Sequence, residues 1–236
     1  MGHMIPIRPH RLFNLVKTRS YEARMVQIVL PDQRAPILLD TAILLALAKL
    51  VQPRTYFEFG TYLGVQLINV AANLPQESRL YTLDLDEESA TAQVDEKQRP
   101  LTVQYLNAKR QKKLAFLGSS FEERIIPLRG DSNTYDFTPF RGQMDMLFVD
   151  GGHELPTLRS DTENAFKMLS PARIGCIAWH DYGNKNYPGL RDYIDELSES
   201  RDMFFVEESW MVFFIHKDDS LVAALKSNSS DDLENW

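Results

Sequence analysis

Five short apolar runs limit most strongly what this chain can fold into: TYFEF at 55–59, RLYTLDLD at 79–86, RIIPLRGD at 124–131, DMLFVD at 145–150 and IGCIAWHD at 174–181. Each has the length of a strand, and the segments between them have room for helices. Unbroken runs such as MLFV suit parallel strands covered on both faces. Each run also ends in polar groups: Glu58, Asp84, Asp131, Asp150, and His180 with Asp181. An open α/β sheet binds its ligands outside the carboxyl ends of its strands. If the strands are parallel, these groups gather along one rim.

The intervening segments read as helices. ILLDTAILLALAKLV, within 36–51, is dense enough in apolar residues for a mostly buried helix closed by Pro53. Helical residues follow Gly60 and Gly64, another helix is expected over Leu101 to Leu117 after the polar stretch from Glu87 to Gln98, and another from about Pro156 to Leu169. RDYIDELSES after Gly189 reads as a further helix. MFFV and WMVFFIH are separated by too few residues for a helical crossover, so the last two strands should be antiparallel neighbours. Met1 to Met4 receives no structural weight, and the acidic, serine-rich end from Ser220 is expected to fray.

Composition excludes several classes. With 44% hydrophobic residues in 236, one large domain has ample core. Acidic residues outnumber basic ones 33 to 26, for a net charge of -7, which argues against a nucleic-acid partner. The single cysteine, Cys176, lies in an apolar run and reads as a core residue, which rules out a disulfide framework. No window approaches the ~20 apolar residues of a membrane span, and MGHMIPIRPH lacks the apolar core of a secretory signal. The expectation is no membrane association and a cytoplasmic location.

In FEFGTYLGVQ the glycines at 60 and 64 permit a sharp turn and close approach to a ligand, although a plain strand-to-helix turn would look the same. The spacing departs from the dinucleotide fingerprint G-x-G-x-x-G, which counts against NAD. Asp84 stands where an acid can accept both ribose hydroxyls in such folds; a helix cap or a solvated loop acid is its plainer role.

Taken in order, FEFGTYLG, YTLDLD, LRGDS, MLFVDGGHE and IAWHDYG resemble the successive motifs of class I S-adenosylmethionine-dependent methyltransferases. Within that class the chain is similar to the O-methyltransferases of methyltransferase family 24, related to catechol and macrolide-sugar O-methyltransferases. The likeness covers roughly residues 36–217. It implies a Rossmann-like α/β fold: a seven-stranded, mostly parallel sheet with an antiparallel last strand and helices on both faces. Residues 1–35 would then be an extension or substrate lid, 36–217 the S-adenosylmethionine-dependent domain, and 218–236 an acidic tail. It further implies that Glu58 and Gly64 belong to the cofactor site, that Gly60, Thr61 and Tyr62 flank the methionine part, and that Gln66 meets its carboxylate. Asp84 would hold the ribose, with Asp131 and Ser132 near the adenine.

Methyl transfer from a sulfonium to oxygen requires alignment and removal of a hydroxyl proton. His153 follows Asp150 by three residues, where these relatives place a basic side chain, and is the candidate general base, with Asp150 beside it as a catalytic or cofactor-binding acid. Capping the next helix is its plainer role. Asp150, His180 and Asp181 can form a divalent metal site; histidine stands where the family pattern has an acid or amide, which favours manganese or another transition metal over magnesium. Alternatively Asp150 binds the cofactor amine, Asp181 orients His180, and no metal is present. Glu154 could add a ligand or simply complement a helix dipole.

Substrate choice should lie in loops: LPDQRAP and what precedes it, YGNKNYPG, and EESW. Tyr182, Tyr187 and Trp210 could form an aromatic wall or merely pack, and Lys109 to Lys113 reads as a solvated helix face. The expected acceptor is a hydroxyl of a small molecule, a phenol or glycosylated natural product. Two alternatives stand beside it: nitrogen methylation, against which the missing Asn/Asp-Pro-Pro-Tyr/Phe motif counts, and a non-catalytic cofactor-binding scaffold. Relatives of this fold often form homo-oligomers, though no apolar stripe in the sequence requires one.

Overall fold

The computed structural model describes residues 2–19, 21–27, 38–85 and 113–227. Its strands are β1 (Met4–Ile7), β2 (Thr55–Phe59), β3 (Arg79–Asp84), β4 (Ile125–Arg129), β5 (Met146–Val149), β6 (Gly175–Trp179), β7 (Met203–Val206) and β8 (Val212–His216). They form one sheet in the order β1-β7-β8-β6-β5-β2-β3-β4. Only the pairings of β8, with β6 and with β7, are antiparallel. The described helices are α1 (Pro9–Thr18), α2 (Leu38–Val51), α3 (Val65–Ala71), α4 (Leu155–Met168), α5 (Pro188–Ser198) and α6 (Asp219–Ser227).

Strand alternation divides the core into two layers. Tyr56 joins Leu44 and Leu47 of α2 and Leu67 of α3 on one face, whereas Phe57 and Phe59 join Leu158 and Met168 of α4 and Ile194 of α5 on the other. Because α2 is enclosed on nearly all sides, it is apolar nearly all round. Cys176 is fully buried in the first layer, as expected of a core residue. Strand order reverses between β2 and β5, which lie side by side in parallel, and the carboxyl ends at such a switch point are where open α/β sheets bind their ligands.

Two expectations need correction. The sheet has eight strands, because Met4–Ile7 pairs in parallel register with Met203–Val206. A four-residue edge strand carrying a proline gives little periodicity to read, yet an edge tolerates the missing donor. At the other end Ser220 to Ser227 is helical: Leu221 and Leu225 are buried, and Asp218 Oδ1 accepts the Leu221 N–H at 2.9 Å, a capping contact. The polar stretch Glu87 to Gln98, residues 101–112 of the expected helix, the run from Lys109 to residue 112, and LPDQRAP lie outside the described residues. Within the expected helix, residues 113 and 114 have no regular structure and residues 115–117 form turns. Among the described residues no helix is long and apolar enough to cross a membrane.

Candidate active site

The turn after β2 is built on close backbone approach. Gly60 has φ 91°, its N–H donates to Leu83 O at 2.8 Å, and a Cβ there would sit 2.2 Å from Asp150 O. The ends of β2 and β5 therefore touch. Gly64, at φ 71°, opens α3. Between the two glycines the chain is fastened to β3: the Thr61 and Thr82 hydroxyls lie 2.5 Å apart, and the Tyr62 N–H donates to Asp84 Oδ2 at 2.9 Å. Gln66 is buried; its Oε1 accepts the Thr41 hydroxyl at 3.1 Å, and its Nε2 has no partner among the described residues. Glu58 is 1% exposed, with Oε2 accepting the Tyr56 hydroxyl at 2.9 Å and Oε1 unpartnered among the described residues. Burial drives its pKa well up; the Tyr56 hydroxyl opposes the rise, while Asp150 and Asp84 reinforce it.

The turn after β4 is tied to α4. Asp131 Oδ1 accepts both the backbone N–H and the side-chain amide of Asn133 at 3.0 Å, and that amide also reaches the Thr157 hydroxyl at 3.1 Å. Beneath lies Asp161, 1% exposed, with neither carboxyl oxygen hydrogen-bonded among the described residues. Burial pushes its pKa up to about 7; the Ser132 hydroxyl pulls the other way and Asp131 adds to the rise.

This carboxyl gives a signed pH effect. An unfolded aspartate titrates near ~3.9, so between there and about 7 the native state holds the extra proton, and this group's contribution to stability falls with rising pH by up to about 4 kcal/mol. Asp161→Asn should remove that component of the slope. In urea titrations at about pH 5 and about pH 8, wild type should lose stability relative to the variant; equal pH dependence would contradict the assignment.

The densest polar cluster lies at the ends of β5 and β6. His180, 7% exposed, places Nδ1 3.1 Å from Asp150 Oδ1 and 3.5 Å from Asp181 Oδ2, and Nε2 3.0 Å from Asp40 Oδ2. Burial works against charge on this ring, but Asp150, Asp181 and Asp40 outweigh it and hold its pKa well above the usual histidine value. His153 Nε2 lies 2.5 Å from Asp181 Oδ2, and its ring stacks on Tyr187 with centroids 4.2 Å apart. Asp181 thus sits between two imidazoles while its Oδ1 accepts the Asn184 amide at 2.8 Å. It adopts φ 63°, a left-handed conformation that non-glycine residues rarely hold. One ligand atom each from Asp150, His180 and Asp181 lie within 4.8 Å of one another, a nitrogen-and-oxygen set that fits a divalent transition metal.

The profile of methyltransferase family 24, described as a methyltransferase domain, matches residues 57–182, more than half of the 236-residue chain. The chain belongs to this family. The methyltransferase is thereby placed in the S-adenosylmethionine-dependent enzyme class that its motifs resemble. Comparison with curated proteins gives no match. Among solved structures, an SAH-bound methyltransferase of Podospora anserina is 17% identical, covering 92% of this chain and 91% of that one, with a TM-score of 0.53. A methyltransferase of Geobacter sulfurreducens is 16% identical, covering 89% and 87%, with a TM-score of 0.52. The O-methyltransferase TomG of Streptomyces achromogenes, in complex with SAM, is 19% identical, covering 74% and 77%, at 0.48. At these identities the first two show a shared fold, and nothing rests on the third.

Within the methyltransferase, the structure brings Asp150, His153, His180 and Asp181 into one cluster, and joins Gly60 to Asp150 and Thr61 and Tyr62 to the end of β3. Ser132 and Asp131 lie on the α4 side, beside Asp161. Tyr187 stacks on His153, whereas Tyr182 is buried and donates its hydroxyl to Asp195 at 2.7 Å, so it packs. Glu154 is exposed at the N-cap of α4. Sequence reasoning missed two buried acids, Asp40 and Asp161. Asp40 carried a usable signal: it is the one acid inside a run otherwise apolar enough to be enclosed, and a buried charge needs a partner or a task.

Proposed function

We propose that the crevice binds S-adenosylmethionine and transfers its methyl group to a hydroxyl of a small molecule, a phenol or a glycosylated natural product. The observation that carries this reading is the cluster of two imidazoles and three carboxylates at the ends of β5 and β6, directly beside the glycine turn of β2. In this reading the methionine half of the donor lies beside the Gly60 turn, with Asp84 at the ribose and Asp131 and Ser132 at the adenine. Glu58 Oε1 and Gln66 Nε2, buried and unpartnered, supply one acceptor and one donor for the polar end of the methionine moiety.

His153 is the general base of this proposal. His153 Nε2 is 2.5 Å from Asp181 Oδ2 without the alignment of a hydrogen bond; with the proton on that side, the lone pair of Nδ1 is the one that takes a hydroxyl proton, and the carboxylate steadies the imidazolium that forms. Stacking on Tyr187 fixes the ring plane. Asp150, His180 and Asp181 would hold a divalent cation. Bound there, it would lower the pKa of an acceptor hydroxyl.

Calorimetry with S-adenosylmethionine, followed by turnover assays on phenols and glycosides with and without chelator, tests the whole. Cofactor binding, methylated product, loss of rate on chelation, and an about 10²–10⁴-fold drop in kcat for His153→Ala with cofactor affinity retained are expected. Full turnover by His153→Ala removes the base; an unchanged rate after exhaustive chelation removes the metal.

A further inference from the structure

Asp40 belongs to α2, far in sequence from every strand end of the crevice, yet it is completely buried against the cluster. Its two oxygens have separate duties. Oδ1 accepts the backbone N–H of Trp210, in the turn between β7 and β8, at 3.0 Å. Oδ2 lies 3.0 Å from His180 Nε2. A backbone N–H can only donate, and a carboxylate can only accept, so the Nε2 side of His180 is required to carry its hydrogen toward Asp40. In the neutral ring the lone pair is then on Nδ1, the nitrogen that faces Asp150 and Asp181.

We infer that Asp40 is a positioning residue: it selects the Nε2–H tautomer of His180, and so makes Nδ1 a ligand for a divalent transition metal beside Asp150 and Asp181. This deepens the metal reading given above and rests on it. The arrangement also fastens the Trp210 turn to the His180 ring. Metal-bound histidines generally donate their second N–H to a carboxylate or carbonyl, and loss of that partner weakens metal binding by about 10–100-fold.

Asp40→Asn separates this role from mere packing. Asparagine keeps the shape but offers one oxygen and one amide group. The Trp210 N–H claims the oxygen, the amide hydrogens turn toward His180 Nε2, and that nitrogen has to become the acceptor. The ring proton moves to Nδ1 and occupies the ligand position.

The test titrates the full-length metal-free protein with cobalt(II), following visible absorption and the cobalt-induced shift in melting temperature. Wild type is expected to bind, and Asp40→Asn to bind about 10–100-fold more weakly. Equal affinities in the two proteins would overturn the role of Asp40 and leave the metal site standing. No binding by folded wild type would overturn both. A measurement on wild type alone guards against a variant that does not fold: proton NMR of the cobalt(II)-loaded protein should show a hyperfine-shifted, exchangeable ring N–H adjacent to a sharp Cδ2–H, the pattern of Nδ1 ligation. Its absence would contradict the inference.

Discussion

Asp181→Asn is expected to lower kcat by about 10²–10³-fold while leaving affinity for S-adenosylhomocysteine unchanged. The carboxylate is in contact with both imidazoles, 2.5 Å from His153 Nε2 and 3.5 Å from His180 Nδ1. Burial alone would raise its pKa, but the two histidines beside it outweigh that and hold it below the usual carboxylate range. Asparagine suits the backbone, since it tolerates the left-handed φ of 63° better than other non-glycine residues. Its carbonyl would go to the Asn184 amide, as Oδ1 does now, and its NH₂ would then face the His153 and His180 nitrogens. On the proposed roles, the base would lose its orienting acceptor and the cation site an oxygen ligand, without a cavity. Steady-state kinetics paired with calorimetry check this; a variant with wild-type kcat would refute the role given to Asp181.

The second large effect is structural. Gly60→Ala should lower the melting temperature by about 10 °C or more and abolish cofactor binding. The added Cβ would lie 2.2 Å from Asp150 O and 2.8 Å from Asp150 C, contacts with backbone that no rotamer change relieves. At φ 91° the conformation is itself unfavourable for an L side chain. Relief would require parting the ends of β2 and β5, which is where the crevice is made. Gly189→Ala is the internal control, because its Cβ meets nothing within 4 Å in the first turn of α5, and its effect should be small. Thermal melts of the two variants decide the point; a Gly60→Ala protein with a wild-type melt and normal cofactor affinity would show that the approach at Gly60 is not required.

The five central strands were legible because each is a continuous apolar run broken by turn residues, and their parallel order follows from connections too long for hairpins. The antiparallel β8 was legible from the short gap after Val206. β1 was not, since an edge strand of four residues has little pattern and its partner, β7, is almost 200 positions away in sequence. In the crevice, Asp150, His153, His180 and Asp181 were readable because each follows directly from a strand end. The burial of Asp40 was readable from its apolar run, but its place beside His180 was not, because only the packing of α2 on the sheet brings it there. Asp161 sits mid-helix among ordinary amphipathic residues, and nothing in its neighbours in sequence marks it as buried.

In the proposed function the donor lies across the β2–β5 switch point with its reactive end at the imidazole–carboxylate cluster. A crystal structure with S-adenosylhomocysteine is the most direct measurement. The sulfur should lie over the Gly60–Asp150 contact, facing His153, with the ribose hydroxyls on Asp84 and the adenine beside Asp131 and Ser132. Density for the nucleoside at any other edge of the sheet, or a sulfur directed away from Asp150 and His153, would contradict it.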